Sequence, residues 1–143
     1  MTENLQLLCS IHQNAQMGRE AIGELLPYVG GTFRQKMVDQ QNRYNDLANS
    51  AREQLESGGV APRPLPLMAQ VRTAVFSRLC TLRDRSDVHL AGMLLQGSTM
   101  GIIDIARALR THSAADESIK TLGGDLLSLE QNSADIWRET LLQ

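Results

Sequence analysis

The sequence predicts an all-α protein, and three observations lead to that class. Apolar residues recur at alternating spacings of three and four along most of the chain, which is the periodicity of amphipathic helices. Aromatic residues make up only 3% of the composition, whereas sheets favour aromatic and β-branched side chains. The sequence contains neither a period-two strand pattern nor an internal repeat, so helices are expected to pack on helices throughout.

Composition predicts one soluble domain spanning residues 1–143. Hydrophobic residues are 42% and charged residues 21%, which suits an ordinary globular protein. The net charge of −2 does not show the excess of basic residues that is typical of nucleic-acid binders. Cys9 and Cys80 are far apart and have no metal-ligand spacing, which favours a reduced, cytoplasmic setting. No leader segment and no uninterrupted run of 18 apolar residues occurs, so no membrane association is expected.

The first half of the chain predicts two helices. The first runs from about residue 3 to 26 and ends before Pro27. The second runs from about 32 to 56, with Thr32 as its N-cap. Each helix carries one predicted core stripe: Leu8, Ile11, Ala15, Gly18, Ile22 and Leu25 in the first, and Phe33, Met37, Gln40, Tyr44, Leu47, Ala51 and Leu55 in the second.

The second half predicts three helices after the breaker-rich linker SGGVAPRPLP at 57–66. A shorter helix spans about 67–83, and a longer one spans about 87–111 with Ser86 as its N-cap. The last runs from about 114 to 142, because Ser113 and Asp116 have capping-box spacing. It is expected to bury Ile119, Leu122, Leu126, Leu129, Ser133 and either Ile136 or Trp137.

Helix length predicts the architecture. Helices of about 25 residues are about 37 Å long, so four of them complete an up-down bundle. The shorter helix over 67–83 is either a full member of a five-helix array or a crossover between two hairpins, as in ferritin-like topologies. The proline-rich linker before it favours the crossover. We therefore expect a ferritin-like four-helix bundle with an additional shorter helix, about five helices in total.

The predicted helix over 87–111 contains Gly92, Gly97 and Gly101, each of which is about 1 kcal/mol worse than alanine inside a helix. Gly97 and Gly101 are four residues apart and form a shallow notch on one face. Small residues at this spacing let a neighbouring helix approach closely. We expect the dispersion energy gained along the notch to offset the loss of helix propensity.

The same face combines His89 with two methionines, and methionine-bearing helical faces form adaptable contact surfaces. We predict a homodimer interface made of Met93, Gln96, Gly97, Met100 and Gly101. One alternative is that the face packs inside its own chain, with Gln96 bonded to Gln40, Tyr44 or a backbone carbonyl. The other is that His89, Met93 and Gln96 line a slot for a small molecule.

No complete catalytic motif emerges. A di-iron bundle needs two ExxH pairs, and the chain has none, so the metal candidates reduce to His89, Glu20 and Glu130. Ser98 lies in a glycine-flanked segment, but an esterase elbow needs a strand before it. The glycine pair at 30–31 completes no phosphate loop. No catalytic or cofactor-binding residue is therefore predicted, and the sequence leans against an enzyme.

Two segments, NAQMGREAI at 14–22 and HLAGMLLQGSTMGIIDI at 89–105, resemble an uncharacterised family of helical proteins of Gram-positive bacteria. The resemblance implies a ferritin-like bundle and brings no established activity. In that family an acidic residue often stands where this chain has Gly92, three residues after His89, so an HxxE metal pair would be broken here.

The functional expectation is a non-catalytic cytoplasmic bundle that acts through self-association and contacts with a protein partner, without a cofactor. The alternative is a ferritin-like metal- or oxygen-handling protein with a degenerate site, in which His89 acts with Glu20 or Glu130.

Overall fold

The computed structural model describes residues 2–62 and 86–143, and both ranges are helical. Helix α1 spans Glu3–Leu25 and is followed by a single 3-10 turn at Leu26–Tyr28. Helix α2 spans Gly31–Ser57, α3 spans Asp87–Thr111 and α4 spans Glu117–Leu141. The all-α prediction is confirmed for these two ranges. The predicted helix over 67–83 lies outside the described residues.

Side chains cap the N-termini of α1 and α3. The Thr2 hydroxyl accepts a hydrogen bond from the Leu5 amide, and the Ser86 hydroxyl accepts one from the His89 amide, each at 3.3 Å. The prediction of Ser86 as N-cap is confirmed. At α2 the predicted N-cap Thr32 is wrong, because the helix begins at Gly31 and Gly30 occupies the cap position.

Helix α4 begins at Glu117, so the predicted start at 114 and the capping box of Ser113 with Asp116 are wrong. The reason is a tertiary contact. The Asp116 amide donates to Asn4 Oδ1 at 2.8 Å, and Asn4 Nδ2 donates to Asp116 Oδ2 at 2.9 Å. A side chain of α1 thus replaces the local cap.

The end of α2 has the hydrogen bonds of a Schellman motif. The Gly59 amide donates to the Glu56 carbonyl at 3.0 Å, and the Val60 amide donates to the Leu55 carbonyl at 2.9 Å. Gly59 has a φ of +79°, which glycine adopts without steric strain. The glycine pair of the predicted linker therefore ends the helix.

Contacts between the ends of helices show which helices are antiparallel. Glu3 at the start of α1 lies 2.8 Å from His112 at the end of α3, so these two helices are antiparallel. Phe33 at the start of α2 packs edge-to-face on Trp137 near the end of α4, so this pair is antiparallel as well. Helix α1 packs mainly on α2, and α3 packs mainly on α4. It follows that the end of α2 and the start of α3 lie at opposite ends of the bundle.

The core lies between these two hairpins and follows the predicted stripes closely. Most of the predicted positions in α1, α2 and α4 are buried, and Trp137 rather than Ile136 takes the inward position near the end of α4. In α2 the buried position is Ala48, whereas the predicted Leu47 is half-buried beside it. The core also encloses polar side chains, and those define the site described next.

Candidate functional site

A chain of buried hydrogen bonds joins α2 to α4. The Tyr44 hydroxyl donates to Ser133 Oγ at 3.2 Å, and Ser133 Oγ donates to Gln40 Oε1 at 2.8 Å. The same side of α4 also holds Trp137, whose indole Nε1 donates to Ser98 Oγ on α3 at 3.1 Å. All five side chains are buried, so these bonds satisfy groups that would otherwise be costly to bury.

Glu130 lies on α4 beside this network and is only 3% exposed. Its carboxyl group packs against α3 at Gly101, where an added Cβ would come within 2.6 Å of the carboxyl carbon. Gly101 therefore provides the space in which the carboxyl group lies. From α1, Asn14 Nδ2 donates to the Gly101 carbonyl oxygen at 3.0 Å, so α1 and α4 both contact this turn of α3.

The two glycines of the predicted notch lie in different surroundings. Gly101 is closely contacted, but by a side chain rather than by a helix backbone. At Gly97, which is exposed, an added Cβ would have no described atom within 4 Å. Gly18 repeats the first pattern on α1, because a Cβ there would lie 2.5 Å from the Tyr44 ring. Gly101 thus accommodates the Glu130 carboxyl group, and Gly18 accommodates the Tyr44 ring.

A cavity of about 400 Å³ lies between α1 and α3. Its deepest residues are Tyr44 from α2 and Glu130 and Trp137 from α4, all of which are buried. The walls are mostly apolar side chains and small residues of α1 and α3. Gly97, Met100 and Asp104 of α3 also line it and are exposed, so they form its rim. The volume is within the range of pockets that hold small molecules.

The electrostatics of the cavity are acidic. Burial raises the pKa of Glu130 to about 8, the nearby Asp104 carboxylate adds to the increase, and the Tyr44 hydroxyl opposes it. The lining contains Glu130 and Asp104 but no arginine, lysine or histidine from the described part of the chain. Burial also raises the pKa of the Tyr44 phenol, and the Glu130 charge contributes. Both groups are therefore protonated at neutral pH.

Two buried acceptor atoms in the cavity residues lack partners within the described ranges. They are Glu130 Oε2 and Asn14 Oδ1. The orientation of the Asn14 amide is fixed by the Gly101 carbonyl, which needs a donor, and so its oxygen is the atom left unbonded. Unsatisfied buried polar atoms are few in native proteins, and two of them at one turn of one cavity indicate a place for a donor.

The predicted interface residues fall into two groups in the structure. Met93, Gly97, Met100 and Gly101 line the cavity, whereas Gln96 is exposed. Gln40 and Tyr44, the side chains named as alternative partners of Gln96, form hydrogen bonds within the network between α2 and α4. His89 and Gln96 are both exposed.

The predicted metal candidates lie in different settings. His89 is exposed in the first turn of α3, Glu20 is half-buried on α1 with its carboxylate 4.0 Å from Arg19, and Glu130 is buried in the cavity. Across residues 2–62 and 86–143, no group of three or more His, Cys, Asp or Glu side chains is placed to hold a metal ion.

Asn14 and Asp104 belong to the cavity but are absent from the predicted site residues. The sequence signal for Asn14 was its position next to Ala15 of the predicted core stripe, and the structure shows that its side chain is buried. The sequence signal for Gln40 and Tyr44 was clearer, since both are polar members of the predicted apolar stripe of α2. The sequence could not pair Asn14, Gln40 or Tyr44 with Glu130, because Glu130 lies 86 or more positions after each of them in the chain.

Comparisons with protein-family models, with curated proteins and with solved structures find no match to this chain.

Proposed function

We propose that this chain is a non-catalytic helical-bundle protein that binds a small, mostly apolar molecule between α1 and α3. The observation that carries the proposal is the cavity of about 400 Å³, which joins apolar walls to a buried carboxyl group. Ligand pockets typically have this form, with a few polar groups that orient a ligand held mainly by apolar contact. The five predicted interface residues then serve chiefly a ligand, since four of them line the cavity.

We also propose that the bundle has the ferritin-like connection. The support comes from two antiparallel hairpins, α1 with α2 and α3 with α4, and from α2 and α3, which run parallel. A long crossover between α2 and α3 suits such an arrangement. In bundles of this kind, ligand sites are built between facing helices, which is where the cavity lies.

Ligand binding is tested with 1-hexanol, a neutral apolar probe, by following the emission of Trp137. The chain has one tryptophan, and it lines the cavity. We expect saturable binding to the wild-type protein. Gly97→Leu should place a larger side chain at the rim of the cavity, where an added Cβ meets no described atom within 4 Å. Binding of 1-hexanol should weaken by about tenfold or more, which corresponds to a loss of at least about 1.4 kcal/mol of binding free energy.

The matched control is Gly124→Leu on α4, where an added Cβ would also meet no described atom within 4 Å. Both substitutions replace a helical glycine by leucine, and only position 97 lines the cavity. Equal affinities in the two variants, or no saturable binding by the wild-type protein, would exclude this site.

A second candidate function, self-association, is favoured by the outer face of α3, defined here by Val88, Met100 and Ile103. These side chains are 44%, 62% and 50% exposed. By length and composition alone α3 is apolar enough to cross a membrane, a test that core helices of soluble proteins also pass, and 28% of its most apolar window is buried. A helix this apolar and this exposed suits pairing with a second copy.

Sedimentation equilibrium tests the pairing. We expect the wild-type protein to be a dimer, Ile103→Asp to be a monomer, and the control Leu142→Asp to remain a dimer, since Leu142 is 81% exposed outside α3. A monomeric wild-type protein at all concentrations, or a dimeric Ile103→Asp variant, would rule out this interface.

A further inference from the structure

We propose that the ligand of this cavity is a primary ammonium ion on an apolar body, with its nitrogen held by Glu130 and Asn14. The inference rests on the proposed function and specifies its ligand class. Three observations support it. Two buried polar atoms of the cavity residues have no hydrogen-bond partner among the described residues, the charged side chains in the lining are acidic, and these groups lie near one turn of α3.

The unbonded atoms define what the ligand must supply. Asn14 Oδ1 is an acceptor, Glu130 Oε2 becomes one once the carboxyl group has lost its proton, and both atoms are buried. Glu130 packs on Gly101 from α4, and Asn14 bonds the Gly101 carbonyl from α1, so the two side chains meet the same residue of α3. A ligand that satisfies them needs at least two donors on one small group. A primary ammonium has three donors and no acceptor.

The charged residues that line the cavity determine which sign of charge the ligand carries. Glu130 lies in the interior of the cavity and Asp104 at its rim, and no basic side chain of the described residues lines it. A carboxylate ligand would meet the Asp104 charge and no basic side chain of the described residues, whereas an ammonium can replace the Glu130 proton and then pair with the carboxylate. Hydrogen bonds between an ammonium and a carboxylate are stronger than those between neutral groups.

The rest of the lining defines the body of the ligand. Ile22 and Leu25 of α1 and Leu94 of α3 are buried core residues that also line the cavity. Met17 and Met93 add flexible apolar surface on both helices. A straight or cyclic hydrocarbon group fits these walls, and a second charge on the ligand would have no partner among them.

Binding has a defined proton balance. Burial and the Asp104 charge hold the Glu130 carboxyl protonated at neutral pH, so the arriving ammonium replaces its proton. The O–H bond of the carboxyl breaks, the proton leaves to the buffer, and no covalent bond to the ligand forms. The other groups that face Glu130 are the protonated Tyr44 phenol from α2 and the uncharged Asn14 amide from α1.

The test compares three probes of one chain length: n-hexylammonium, 1-hexanol and hexanoate. Isothermal titration calorimetry of the full-length protein at pH 7 gives their affinities. We expect the ammonium to bind about tenfold to a hundredfold more tightly than the alcohol, which is the effect of one charge-assisted hydrogen bond. Hexanoate should bind most weakly. Repeating the titration in two buffers of different ionisation enthalpy should show release of close to one proton per hexylammonium bound.

The variant Glu130→Gln removes the charge and keeps the shape, so the preference for the ammonium over the alcohol should vanish and proton release should stop. Gly124→Leu should keep both properties. If the wild-type protein binds hexanol as well as or better than hexylammonium, or releases no proton, the ammonium assignment is wrong while the cavity function stands. If the wild-type protein binds none of the three probes, the proposed function fails as well. The proton count in the wild-type protein decides the assignment even if Glu130→Gln does not fold.

Discussion

Glu130 is buried against Gly101 of α3 and has no basic partner in the described ranges. A carboxylate in such a position would be strongly destabilised by desolvation, and the protein avoids this by keeping the group protonated. The protonated form is tolerated because Gly101 leaves room for it and because the Tyr44 network lies alongside. The residue therefore links the stability of the bundle to pH.

Folding stability should fall as the pH rises from about 5 to about 8.5. A carboxyl whose folded pKa is raised from 4.5 to about 8 contributes stability that is fully present below pH 4.5 and is lost as the pH rises through 8. The loss is at most about 5 kcal/mol. Urea unfolding at several pH values measures it, and Glu130→Gln should show no such decline. Identical pH dependence in both proteins would contradict a raised pKa at this residue.

Substitution by alanine should have opposite effects on stability at Gly18 of α1 and at Gly97 of α3. Gly18→Ala places a methyl group 2.5 Å from the buried Tyr44 ring and should destabilise the protein by about 1–3 kcal/mol. Gly97→Ala meets open space and should stabilise it by up to about 1 kcal/mol through helix propensity. Thermal unfolding of the two variants checks the difference. A stabilising Gly18→Ala would show that the ring does not occupy this space.

The sequence predicted a packing role for both Gly97 and Gly101, but among the described residues only Gly101 is closely contacted, by Glu130. Spacing identifies which positions share a helical face, and so Gly97 and Gly101 were grouped together. The distinction between them depends on Glu130, which is 29 positions after Gly101 in the chain. No local pattern reports which side chain of another helix will arrive at a given turn.

At the scale of helices, α3 shows what periodicity can predict. Its bounds, 87–111, and its N-cap Ser86 are as predicted, because capping and the apolar period are local signals. The start of α4 is three residues later than predicted, because Asn4 of α1 bonds the Asp116 backbone. Tertiary contacts of this type override local capping chemistry.

Asn4→Ala should therefore destabilise the first turn of α4. It removes two hydrogen bonds to Asp116, with an expected loss of about 1–2 kcal/mol. Hydrogen exchange should show faster amide exchange at residues 117–120. The control Asn132→Ala is an exposed position of α4 with a similar change of helix propensity. Equal exchange rates in both variants would contradict a cap formed by Asn4.

At the scale of the whole molecule, two tightly packed hairpins meet less closely along α1 and α3, and the cavity lies at that meeting. An interhelical cavity costs dispersion energy, so a protein that keeps one beside two buried oxygens, on Asn14 and Glu130, that have no partner among the described residues is expected to fill it with a ligand. The all-α class followed from the sequence because it depends on periodicity. The cavity did not, because it depends on how far apart two helices lie.

The most direct measurement of the central claim is a methyl NMR titration of the protein carrying 13C-labelled methionine methyl groups. Met17, Met93 and Met100 line the cavity, whereas Met37 is fully buried in the core away from it and acts as the internal control. On addition of 1-hexanol, the three cavity methyl signals should shift together along one binding curve while the Met37 signal stays in place. Cavity methyl signals that remain unchanged at saturating probe, or that shift no more than Met37, would contradict a ligand site between α1 and α3.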